Sequence, residues 1–182
     1  MPAMMHVREL LEASQLPPAR AAELLDGRNP AGDCAVIEER AGHQEITYGE
    51  LREQSARFAA ALTTLGVQPG DRVATLMEPS LEMLLALLGL WALGAQAFPV
   101  STDADPDAVI GDVADSAARL VICDAGHRRK LVPAGGVPND ASPLVVVARG
   151  EAFGFDSSFA EMVQGVGPFS NAGSLEKFPG IG

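Results

Sequence analysis

From Met83 to Leu93 the chain runs through eleven residues with no charge and no polar side chain except the indole of Trp91. Crossing a bilayer takes about twenty apolar residues, so this run reads as the body of a core helix. A helix that is apolar nearly all round must be covered on several sides. The flanking sequence supplies that cover. Pro79 and Ser80 open the helix, with Ser80 as N-cap and Glu82 in the favourable first turn, and Gly94 stops it. Arg72 to Met77 reads as a buried strand before the helix, and Ala95 to Val100 as a second strand after it.

The alternation continues downstream. Asp105 caps a helix that has Pro106 at its first position and runs to about Ala117. Arg119 to Cys123 gives a third strand and Leu144 to Ala148 a fourth. Strands alternating with helices over residues 71–150 predict an α/β fold, a mainly parallel sheet with flanking helices and right-handed crossovers. Upstream, Thr47 and Glu50 match a capping box, in which each side chain satisfies a free backbone donor near the other. Leu51, Phe58, Ala59, Leu62 and Leu65 then mark the apolar face of an amphipathic helix, with Arg52, Glu53 and Arg57 on other faces and Gly66 ending it.

Cys34 to Arg40 and Gln44 to Ile46 read as two short strands around an Ala41-Gly42 turn. Residues 1–30 read as one or two short helices broken at Pro17-Pro18, the second from Ala19 to Leu25 and ended by Gly27. Phe159 to Gln164 suggests a last helix. The expected organisation is a helical segment over 1–30, the α/β unit over 31–165 and an irregular tail over 166–182.

Charge narrows the partners. Lys and Arg number 13 against 24 Asp and Glu, a net charge of 13 − 24 = −11. Nucleic acid and anionic membranes repel such a surface. Cys34 and Cys123 form no spacing motif and read as small buried hydrophobes in a reducing compartment, with a disulfide left open. Met1 to Leu16 has no charged start followed by a long apolar stretch, so no signal peptide is expected and the expected location is cytoplasmic.

Chemical motifs are sparse. No phosphate-binding loop pattern occurs, and Gly165-Val166-Gly167 lacks a third glycine at Ser170. Asp103, Asp105 and Asp107 resemble the opening of a calcium loop, but Ala108 replaces the turn glycine and Ala114 the bidentate glutamate. They read instead as acids at a helix start. Cys123, Asp124 and His127 offer at most a partial metal site, because structural zinc takes four ligands and neither Cys34, His6 nor His43 is spaced to join them. The plainer expectation is a buried cysteine at a strand end and a histidine in an exposed loop. The basic run His127 to Lys130 reads as a solvated face. Glu38 and Glu39 are adjacent in a strand, hence on opposite faces, and cannot work as a paired acid and base. No Gly-x-Ser-x-Gly elbow is present.

The order of these elements is itself a signature. Ile46 to Leu51, the amphipathic helix and then Leu65 to Val73 resemble the opening of the AMP-forming adenylate-forming enzymes, which include acyl-CoA synthetases and nonribosomal peptide adenylation domains. Glu78 to Ser80, the apolar helix, Leu93 to Val100 and Asp115 to Asp124 resemble the blocks that follow. The resemblance covers residues 30–165. It implies an incomplete N-terminal domain of that fold. The complete enzymes activate a small carboxylic acid with ATP and Mg²⁺ to an acyl-adenylate, then pass it to a thiol such as coenzyme A.

The family's phosphate loop with its lysine is expected after residue 165, where this sequence reads otherwise. No catalytic, cofactor-binding or metal-binding residue of the family therefore carries over, and no cofactor is expected on this chain itself. Three readings follow: an N-terminal portion of a synthetase, inactive alone; a module that docks on a complementary half or self-associates; or an independent small α/β domain. The docking reading predicts that Leu51, Phe58, Leu62 and Leu65 lie uncovered.

Overall fold

The computed structural model describes residues 34–39, 42–132, 143–152, 154 and 156–165, with side chains described from Glu45 onward. The helices expected within 1–30 and the tail over 166–182 lie outside the described residues.

An antiparallel ribbon comes first, β1 (Cys34–Glu39) and β2 (Gly42–Thr47), with Cys34 opposite Thr47. Thr47 ends β2 and caps α1 (Tyr48–Thr64). Its hydroxyl accepts from the Glu50 N–H at 3.2 Å, and the Glu50 carboxylate accepts from the Thr47 N–H at 3.0 Å. The Thr47 hydroxyl and then its backbone N–H, both donating to Glu50, hold that carboxyl below its ordinary range. The remaining elements are β3 (Arg72–Leu76), α2 (Leu81–Leu93), β4 (Gln96–Pro99), α3 (Pro106–Asp115), β5 (Leu120–Asp124), a 3-10 segment (Ala125–Leu131), β6 (Leu144–Arg149), β7 (Ser157–Ser158) and α4 (Phe159–Gly165).

β3 to β7 form a parallel sheet in the order β4-β3-β5-β6-β7. The period-2 alternation of each strand sorts its side chains to two cores. Val73, Leu120, Ile122 and Val146 face α1, α2 and α4, whereas Ala74, Leu76, Val121, Cys123 and Val147 face α3 and the 3-10 segment. Helices thus cover both faces, as strands with no polar face require. α2 is buried from Met83 through Trp91, as its composition demands. Gly94 closes it at φ 77°, a left-handed conformation that costs glycine little.

Three departures from the sequence reading follow from packing. The apolar face of α1 is not uncovered: Leu51, Phe58 and Leu62 are fully buried and Leu65 packs at the core edge. α2 and α4 supply the cover, with the Phe58 and Phe159 rings 4.4 Å apart. α3 stops at Asp115 rather than Ala117, because the Ser116 hydroxyl bonds back to the Val113 carbonyl and Ala117 turns to φ 51°. β7 and the 3-10 segment carry no signal in the sequence; both are held by side-chain contacts described below. The sheet edge at β4 is blunted. The Gln96 and Val100 N–H groups donate inward, to the Asp71 carbonyl just before β3 and the Thr75 carbonyl within it, so the backbone at positions 97 and 99 faces outward, and proline has no N–H to offer a further strand.

Candidate functional site

The chain leaves β3 for β4 on one side, then returns past β3 to β5 on the other. The connecting helices α2 and α3 pack on opposite faces, so they diverge above the carboxyl ends of β3 and β5. In open α/β sheets this switch point is where ligands bind. Charged residues gather where three strands finish: Glu78 lies two residues beyond β3, Asp124 ends β5 and Arg149 ends β6.

Asp124 ties the three together. It is 5% exposed, and its Oδ2 accepts the Glu78 N–H at 2.8 Å and an Arg149 Nη2 hydrogen at 3.0 Å. A register shift between Cys123 and Asp124 sets Asp124 opposite Arg149. The outer oxygen, Oδ1, is shielded from solvent and has no hydrogen-bond partner. Glu78 Oε1 lies 3.2 Å from Nε2 of His127.

Breaking this node strands a charge. Asp124→Ala leaves the Glu78 N–H and one Arg149 donor without their acceptor and is expected to cost about 2 kcal/mol. Asp124→Asn keeps an acceptor and is expected to cost about 1 kcal/mol. Urea denaturation followed by the single Trp91 reads both; equal losses would show that the acceptor kept by asparagine contributes nothing and that the charge on Asp124 carries the whole effect.

The basic run is not a solvated face. Arg128 grips Asp156 in a two-pronged ion pair, with Nη2 to Oδ1 at 2.9 Å, and this bond to Asp156 raises the guanidinium pKa against the opposing effect of burial. The pair anchors the segment entering β7. Lys130 Nζ donates to the Thr102 and Ala104 carbonyls at 2.6 and 2.8 Å, fastening the loop between β4 and α3. Only Arg129 of the run is exposed. His127, expected in an exposed loop, is instead half-buried against Glu78.

Cys123, Asp124 and His127 do not converge as a metal site. Cys123 packs into the α3-side core, whereas Asp124 and His127 turn to Arg149 and Glu78. Asp103, Asp105 and Asp107 are exposed, and Asp105 caps α3 through the Ala108 N–H at 2.9 Å. Among the described residues no group of three or more His, Cys, Asp or Glu side chains is placed to hold a metal ion.

Burial pushes the Cys123 thiol from 9.0 up to about 12, against the pull of the Arg128 charge. The unfolded thiol ionises near its ordinary value, so its contribution to stability is full below about pH 9 and falls as pH rises towards 12. In a Cys34→Ser variant, maleimide labelling at pH 8 is expected only after denaturation. Native labelling at the unfolded rate would refute that.

Glu78 and Arg149 were not singled out as site residues by the sequence reading. The available signal was a charged residue immediately after each apolar strand, at 78, 124 and 149. A separate cleft of about 490 Å³ lies on the helical side, between α1, α2 and α4, with Glu50, Arg57, Glu82, Leu85, Phe159 and Val163 in its wall.

The geometry defines a doubly wound α/β unit with an ion-paired cluster at its switch point. A profile of the family described as AMP-binding enzyme matches residues 26–164. An acetyl-coenzyme A synthetase from Streptomyces avermitilis is 34% identical over 145 residues, covering 69% of this chain and 21% of that protein. Surfactin synthase subunit 2 from Bacillus subtilis is 39% identical over 83 residues, 46% of this chain and 2% of that one. The crystal structure of a benzoate CoA ligase from Burkholderia xenovorans LB400 superposes with a TM-score of 0.68 at 27% identity, covering 91% of this chain and 30% of that one. The chain belongs to the AMP-binding enzyme family. It spans about a fifth of the length of the Streptomyces relative.

Proposed function

We propose that this chain is the N-terminal portion of an acyl-CoA synthetase-like ligase, a cytoplasmic enzyme that joins a carboxylic acid to ATP as an acyl-adenylate and then transfers the acyl group to coenzyme A. The observation that carries the reading is the family match over residues 26–164, on a parallel sheet shaped like that of a benzoate CoA ligase. The chain's part in this reading is architectural, with no catalytic residue of its own. Adenylation needs donors and cations around the phosphates and Mg²⁺ to offset their charge. The charged residues at the switch point are held by other partners. Arg128 is committed to Asp156, Lys130 to two carbonyls, and Asp124 to Arg149 and the Glu78 backbone. This reading assigns no adenylation step to any of them.

ATP–pyrophosphate exchange tests the reading, with acetate, benzoate and a medium-chain fatty acid as substrates. The purified chain is expected to show no exchange above background, and exchange with any acid would overturn the claim that it is inactive alone. Translating the DNA downstream of the Gly182 codon in three frames provides the second arm. A Ser/Thr/Gly-rich loop with a lysine, together with exchange by the protein extended through it, supports the synthetase reading; absence of such a loop in every frame overturns it.

A further inference from the structure

We draw no further inference here: the strongest candidate, the cleft between α1, α2 and α4 that carries Glu50, Glu82 and Arg57 above Leu85 and Phe159, carries nothing because nothing in the structure shows what covers it.

Discussion

Replacing Phe58 by alanine is expected to destabilise the protein by about 4 kcal/mol, the range for deleting a fully buried aromatic ring. Phe58 is 0% exposed at the junction of α1, α2 and α4, and its ring is tilted 40° against that of Phe159. Truncation removes the buried apolar area and leaves a cavity that helices on three sides cannot easily collapse. The ring pair adds about 1 kcal/mol beyond that area. Urea denaturation followed by Trp91 fluorescence measures the loss, since that indole is 3% exposed in the same core. A loss below about 1 kcal/mol would mean that α4 and α1 do not share a rigid core.

Gly89→Leu should cost about 3 kcal/mol, by overpacking rather than by loss. A Cβ at Gly89 would sit 3.0 Å from a Phe58 ring carbon and 3.1 Å from the Ser55 carbonyl oxygen. The second neighbour is backbone, so α1 and α2 must separate before a side chain fits. Helix propensity alone favours leucine over glycine by about 0.8 kcal/mol; the collision is several times larger and decides the sign. Gly111 on α3 supplies the control, because a Cβ there meets nothing within 4 Å. Gly111→Ala is expected to stabilise by about 0.7 kcal/mol. Thermal melts of the two variants should therefore shift in opposite directions, and a shift in the same direction would reject the packing argument.

The contrast between these glycines shows what could be read from sequence. Both sit inside helices and look alike as letters. Only the crossing of α1 over α2 makes one of them a contact point. The same holds for Phe58: its place on an apolar face follows from spacing, but its burial does not. The expectation that the face lay uncovered failed because the short helix beginning at Phe159 folds back onto it, a contact about a hundred residues away in sequence. Local pattern carries no record of such a contact.

The candidate site divides in the same way. In sequence, Asp124 and His127 read at most as part of a partial metal site with Cys123, since cysteine, aspartate and histidine lie close together. Strand alternation sends Cys123 to one face while its neighbour Asp124 turns at the carboxyl end of the central strand. Glu78 and Arg149 join Asp124 across 46 and 25 residues. They meet because parallel strands end side by side, which depends on sheet order and not on spacing.

The sequence by itself determined the types of the main helices and strands and most of their ends, and the order of its blocks resembles the family. Those rest on short-range physics: the Thr47–Glu50 box, the Ser80 and Asp105 caps, the left-handed turn at Gly94 and the uninterrupted apolar run of α2. Each acts within a few residues, so each is legible in order along the chain. Strand order, the cover over α1 and the partners of Asp124, Arg128 and Lys130 were decided only by the tertiary structure. A charged side chain takes whichever partner the fold brings within hydrogen-bonding distance, and that distance is a property of the assembled sheet.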